Sequence, residues 1–254
     1  MDNRLKTGVY GLDEMTRGGF LRGDTVLLTG PPGTGKTTFG LQFLLQGISE
    51  GENGVFITIE EPPEKITNDA ANFGWDLRKL ESEGKLKIFQ LQSDMLQMGG
   101  APILQCIDLV KSMNAKRIVI DPISLYSMNI MNQNDLRREL YTFVNYMKSS
   151  NVTLIITHEV PDVLTRVSRI SDFGIEFIVD CIIMLQYVEM ESEIRRSVNI
   201  LKMRGTDHDK AIRKYEITPR RGFEVQSRFE GYEGIMSGTA RKTGAQAFVE
   251  AFRR

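Results

Sequence analysis

The chain has 254 residues, is 41% apolar and 26% charged, and sets 32 Lys and Arg against 33 Asp and Glu for a net charge of −1. That length suits one α/β domain with a substantial core, and the charge balance argues against a strongly basic nucleic-acid surface. No apolar run approaches membrane-spanning length and no signal-peptide core follows residues 1–6, so a cytoplasmic protein without membrane insertion is expected.

In chain order, residues 7–20 carry glycines that read as turns around one short helical turn, and Arg22-Gly23-Asp24 turns the chain into a β-branched apolar run at 25–29. Gly30-Pro31-Pro32-Gly33-Thr34-Gly35-Lys36-Thr37-Thr38 then matches the phosphate-loop pattern, and a helical period opens at Phe39. Strand, glycine loop and helix stand in the order that separates this motif from an ordinary strand-to-helix turn. Gly33, Thr34, Gly35, Lys36, Thr37 and Thr38 are the expected ATP-binding residues: the glycines turn successive N–H groups inward, Lys36 is a point charge for the β- and γ-phosphates, and the Thr37 hydroxyl is a Mg²⁺ ligand.

A second buried strand at 55–59 ends in Glu60-Glu61-Pro62-Pro63, and the prolines fit entry to a helix over 64–73. A helix near 77–81, a strand at 86–91, a helix over 101–113, a strand at 117–121, a helix over 135–148 and a strand at 152–157 follow, the last terminated by His158-Glu159. Cys106 and Cys181 lie in apolar segments without paired spacing and read as reduced core thiols. Past residue 178 come three consecutive strands, at 179–188, 197–203 and 212–217. This pattern predicts a mainly parallel sheet flanked by helices, with antiparallel strands added at the C-terminal side. It gives a single domain over 1–236 and a small, polar, basic tail at 237–254 with the composition of a mobile segment.

Ligands of such a sheet bind at the carboxyl ends of its strands. Asp121 ends a strand there, where a carboxylate holds Mg²⁺ through its water shell; a turn former is the plainer reading. Glu60 and Glu61 end another strand at the same edge. One of them can orient and deprotonate the attacking water; Glu61 as base with Glu60 in support is the first choice, and the reverse order also fits. A helix-start acidic pair is the structural alternative. Thr157 and His158 are candidates for sensing the γ-phosphate, or are structural. Lys202 and Arg204 are two residues apart, so an extended strand points both to one side, either as paired cations for an anion or as a solvated face; His208 follows them.

Taken together, TGVYGLDEMTRGGFLRGD, GPPGTGKTT, FITIEEPPEKI, NFGWDLRKL, RIVID and the long IIMLQYVEMESEIRRSVNILKMRGTDHDKAIRKYEI closely resemble the RecA-like P-loop ATPases of the KaiC group over residues 7–236. The last segment is most similar to the second ATPase domain of the family's two-domain clock members. The resemblance implies a homo-hexameric ring with Mg²⁺ and ATP between subunits. Lys202 and Arg204 then reach the neighbour's γ-phosphate, His208 stands nearby, Arg196 lies near the neighbour's base, and Glu60 and Glu61 form the catalytic pair. One departure matters: the clock domains' phosphorylated Ser-Thr pair is replaced here by Glu176-Phe177, so their phosphorylation cycle does not carry over. Ser168 and Ser171 upstream leave a weak autokinase open.

The leading expectation is an ATPase that hydrolyses slowly and uses nucleotide state to change its ring or an unidentified protein partner. One alternative is an ATP-binding signalling or motility scaffold with little turnover. Another is a recombinase-like DNA-dependent ATPase using Arg166 and Arg169 of residues 161–176, although Asp162, Asp172 and Glu176 offset those charges and nucleic acid is not the expected partner.

Overall fold

The computed structural model describes residues 3–91, 101–124, 133–160, 170–171, 174–237 and 240–243. At the start, a short antiparallel pair, β1 (Arg4–Leu5) and β2 (Phe20–Leu21), brackets the single helical turn α1 (Leu12–Met15). The main sheet then collects β3 (Thr25–Gly30), β4 (Gly54–Thr58), β5 (Leu86–Gln90), β6 (Arg117–Asp121), β7 (Thr153–Glu159), β8 (Cys181–Met190), β9 (Glu193–Met203), β10 (Arg213–Thr218) and β11 (Gly222–Arg228). Their spatial order is β11-β10-β9-β8-β3-β7-β6-β4-β5. Pairing is parallel from β8 to β5 and antiparallel from β8 outward to β11, as the sequence pattern predicts.

β3, β4 and β6 are buried at every position, as expected of parallel strands covered on both faces. Alternate residues divide between two cores: Val119 packs with Phe39 and Phe43 of α2 (Lys36–Ser49), while Ile118 and Ile120 pack with Leu140, Phe143 and Met147. α3 (Pro63–Ala71) and α4 (Leu77–Ser82) extend the first layer through Ile66 and Leu77; α5 (Ala101–Ser112) and α6 (Gln133–Ser149) form the second. Arg117 opens β6 with a fully buried side chain. Its guanidinium is satisfied by Glu52 (2.7 Å), Glu50 (2.6 Å) and the carbonyls of Lys6 (2.7 Å) and Phe43 (3.1 Å), so the charge is neutralised where it sits.

Two expected boundaries move and one strand is added. β7 continues through His158 and Glu159 because Thr29 and Gly30 of β3 still offer partners there. β9 begins at Glu193, four residues before 197, making a long hairpin with β8. β11 was not anticipated; its polar Gln226, Ser227 and Arg228 mask a strand at the sheet's edge. Further on, β12 (Tyr232–Glu233) pairs with β13 (Arg241–Lys242), while residues 244–254 of the expected tail lie outside the described residues. Among the described residues no helix is long and apolar enough to cross a membrane, and both cysteines are buried and unbonded.

Candidate nucleotide site

β3 delivers the chain into the phosphate loop, and α2 starts at Lys36 behind Gly35, which holds a left-handed φ of 88°. A Cβ on Gly35 would stand 2.3 Å from Ile217 Cδ1, and one on Gly33 (φ 75°) 2.8 Å from the Tyr187 hydroxyl; the left-handed backbone strains any side chain at either position, and that side chain must also displace its neighbour. Two tyrosines of the antiparallel strands brace the loop from outside. The Tyr187 hydroxyl donates to Pro32 O (3.1 Å) and the Tyr215 hydroxyl to Thr34 O (2.7 Å). Thr34 turns its own hydroxyl back to Pro31 O at 2.7 Å, leaving its backbone N–H as the group it can offer a phosphate. In front lies a cavity of about 560 Å³, floored by Gly33, Gly35, Lys36, Thr37 and Thr38, with Leu41, Ile66, Phe73 and Ile217 as an apolar wall.

Asp121 comes to this cavity from β6. Its Oδ2 accepts from the Thr37 hydroxyl at 2.6 Å and its Oδ1 from the Thr157 hydroxyl. Thr157 therefore positions the carboxylate rather than facing a phosphate. Burial pushes the Asp121 carboxyl above the usual range, against the two threonine bonds and the charge of Lys36. A hydroxyl and a carboxylate oxygen side by side are a hard-oxygen donor set that fits Mg²⁺, whose remaining positions waters and phosphate oxygens fill. Among the described residues no group of three or more His, Cys, Asp or Glu makes a complete protein-only metal site. The Asp121-Pro122 bond is cis.

The structure separates the two glutamates. Thr58 Oγ1 accepts from the Glu61 N–H (3.1 Å) and donates to its carbonyl (2.7 Å), fixing the backbone, while the Glu61 carboxylate pairs with Lys65 one turn into α3. Glu60 instead shares the field of the other acids: burial, then Glu159, Glu61 and Asp121, raise its pKa against the pull of Lys36. His158 is buried, its Nδ1 3.4 Å from Thr29 Oγ1, and so turns away from the cavity.

Sequence reasoning missed Glu159. Its Oε1 accepts from Lys36 Nζ at 3.0 Å, and the same ammonium donates to Gly30 O and Pro31 O, each at 3.0 Å. The signal was the register: a strand one pair longer than its apolar run carries Glu159 level with Gly30.

Lys202 and Arg204 do converge, at the far edge of the sheet. Lys202 Nζ donates to the carbonyls of Glu176 (2.9 Å) and Val179 (2.7 Å), and Arg204 to that of Phe177 (3.0 Å). Register places Lys202 opposite Ile182, itself level with Leu27, and the Arg204 N–H on Asp180 O, beside the start of β3. That level is roughly 16 Å from the loop end of β3 at about 3.3 Å per residue. His208 sits on the same side, in the loop leading to Asp209, whose N–H bonds to Met15 O at 2.8 Å. Arg196 is at the opposite end of β9, its guanidinium 6.0 Å from the centre of the Tyr187 ring beside the phosphate loop. Ser171 is buried and donates to the Glu176 carboxylate at 2.5 Å, whereas Phe177 is 74% exposed. Ser168, Asp162, Arg166, Arg169 and Asp172 lie outside the described residues.

A family model described as ATPase: KaiC matches residues 5–230. The circadian clock oscillator protein KaiC of Thermostichus vulcanus is 33% identical over 254 residues, covering 98% of this chain and 48% of its own length. That of Rippkaea orientalis is 36% identical over 237 residues, covering 93% of this chain and 44% of its own. The chain thus spans about half the length of the curated relatives it matches. The crystal structure of a KaiC-like protein from Pyrococcus horikoshii OT3 superposes with a TM-score of 0.77 at 39% identity, covering 88% of this chain and 98% of that one. With a RecA-like sheet, a phosphate loop at the carboxyl end of its β3 and a family match along most of its length, the chain belongs to the KaiC ATPase family.

Proposed function

We propose that the chain binds Mg-ATP in the 560 Å³ cavity and hydrolyses it slowly, and that Lys202 and Arg204 complete the site of a neighbouring copy in a homo-hexameric ring. The observation that carries this reading is the meeting of the Thr37 hydroxyl and the Asp121 carboxylate, 2.6 Å apart, beside Lys36 at the floor of the cavity. Two arguments favour the shared site. Among the described residues five carboxylates line the cavity (Glu60, Glu61, Asp69, Asp121 and Glu159) against one cation, Lys36, a balance that favours further cations for a bound polyphosphate. Register puts Arg204 roughly 16 Å and Lys202 roughly 10 Å along the strands from their own loop, and both side chains point to the carbonyls of residues 176–179 rather than to that loop, which favours their serving another copy.

Glu60 is the residue we assign to orienting and deprotonating the attacking water, because its carboxylate shares the field of Lys36 and Asp121 while that of Glu61 is engaged by Lys65. The backbone N–H groups of the loop and the start of α2 bind the phosphates, and Lys36 bridges the outer two. Mg²⁺ held by Thr37 and Asp121 would supply neutralisation of the charge developing between the β- and γ-phosphates. Because each copy supplies one half of two sites, such sharing joins copies head to tail, and they form a ring when the rotation between them closes.

Phosphate release and particle size, measured together with Mg-ATP, test the proposal: wild type should turn over and form the ring, and Lys36→Ala should not turn over. ATP bound by wild type without phosphate release above the Lys36→Ala level would replace the ATPase with a nucleotide-binding scaffold.

A further inference from the structure

The carboxylate of Glu159 has no part in the chemistry above, yet it occupies the ammonium on which phosphate binding depends. A lysine ammonium has three donors. All three of Lys36 are in use, on Gly30 O, Pro31 O and Glu159 Oε1, each at 3.0 Å. Lys36 is 5% exposed, and Glu159 is its one ion-pair partner among the described residues. Glu159 has its backbone held in β7, where it pairs in register with Gly30 at the root of the phosphate loop, between the strand of the loop and the strand of Asp121, so its Cβ stays beside the loop although its carboxylate is partly exposed. After burial it is also the largest contributor to the raised pKa of Glu60, which places its charge in the same space.

We infer that Glu159 competes with the nucleotide for Lys36 and thereby weakens binding of a triphosphate more than of a diphosphate. The inference rests on the nucleotide reading and adds to it a residue that sets selectivity. When Lys36 turns to a bound nucleotide, Glu159 loses its counter-ion and faces the outermost phosphate at close range. Like charges brought together without a cation between them reduce affinity. A diphosphate puts less charge at that end of the cavity than a triphosphate, so the penalty is graded by phosphate number. An uncharged side chain at 159 removes the competition and the repulsion together. Glutamine, moreover, can donate its amide to a phosphate oxygen.

The test is calorimetric titration of the full chain with Mg-ADP and with the Mg complex of the non-hydrolysable adenosine 5′-(β,γ-imido)triphosphate, in wild type, Glu159→Gln and Glu159→Ala, each first shown to melt cooperatively. Both variants should bind the triphosphate about tenfold more tightly, with a change of less than about threefold for ADP. Two different replacements guard against one of them misfolding, and a merely structural role for Glu159 would not shift the triphosphate-to-diphosphate ratio. An unchanged ratio, or weaker triphosphate binding, overturns the inference while leaving the nucleotide site standing. A wild-type chain that binds neither nucleotide overturns the site itself.

Discussion

Thr37 and Asp121 join the phosphate-loop helix to the strand two places away in the sheet, through a 2.6 Å bond from hydroxyl to carboxylate. The carboxylate is almost fully buried, and burial disfavours its ionised form in the nucleotide-free protein. Asp121→Asn keeps an acceptor for Thr157 and removes that charge. Its melting temperature without nucleotide should therefore match or exceed wild type, while Mg²⁺-dependent ATP hydrolysis falls by about 100-fold or more. A variant that melts earlier and still hydrolyses would make Asp121 a structural residue.

Glu60 and Glu61 are adjacent but differently engaged, one in the acidic cavity and one on Lys65. Glu60→Gln should lower the phosphate-release rate by about 100-fold with little change in ATP affinity, the range expected for loss of a general base. Glu61→Gln should cost less than about tenfold. The opposite ranking in single-turnover measurements would return the role to Glu61, and a double variant with the wild-type rate would remove both.

The two halves of the proposed site lie at opposite edges of one sheet, Lys36 at the carboxyl end of β3 and Arg204 level with its start. Lys36→Ala and Arg204→Ala should each be inactive alone. Mixed one to one under conditions that let rings exchange subunits, about a quarter of the sites regain one intact half from each neighbour. Phosphate release should recover to about that fraction. No recovery, with exchange verified by labelled subunits, argues against a shared site.

Much of this arrangement was legible in the sequence because each β-branched run carried its own boundary: 117–121 in the sequence is β6 in the structure, with Asp121 at its end. The phosphate loop was equally plain, since its left-handed positions at Gly33 and Gly35 favour glycine and leave that mark in the sequence. What escaped depended on pairing. His158 and Glu159 read as strand terminators because they are polar, and only the register with Thr29 and Gly30 keeps them in β7. Spacing put Lys202 and Arg204 on one side of a strand, but which edge of the sheet they occupy follows from β9 running antiparallel to β8. Glu60 and Glu61 are indistinguishable in one dimension; Lys65 and Thr58 separate them.

Gly35 combines two constraints that one substitution series can divide. Alanine there meets Ile217 Cδ1 at 2.3 Å and must hold a left-handed φ of 88°. Gly35→Ala should lower the melting temperature and abolish nucleotide binding. Adding Ile217→Ala should remove the clash and leave the backbone term, about 1–2 kcal/mol. Recovery of binding to the level of Ile217→Ala alone would show that the left-handed backbone carries no cost.

Away from the cavity, Asp24 gives the fold a pH dependence of its own. Burial first, and then the charge of Asp180, push its carboxyl up to about 7, against the opposing influence of Lys148 and Arg4. Its Oδ2 is buried without a hydrogen-bond partner, whereas Asp180 spends its carboxylate on the Thr25 N–H (2.9 Å) and on Lys148 (2.8 Å). Because the folded pKa lies well above that of a solvated aspartate, the folded chain binds the extra proton. The stability this contributes is complete below about pH 4 and is lost as pH rises through about 7. Wild type should therefore melt at progressively lower temperature from pH 5 to pH 8. Asp24→Asn, which keeps the shape and cannot ionise, should show a flatter profile and, at pH 8, melt at least about 2 °C above wild type, on the order of 1 kcal/mol. Parallel melting profiles for the two proteins would mean that Asp24 is already ionised at pH 5 in the folded chain, and that the cations around it outweigh its burial.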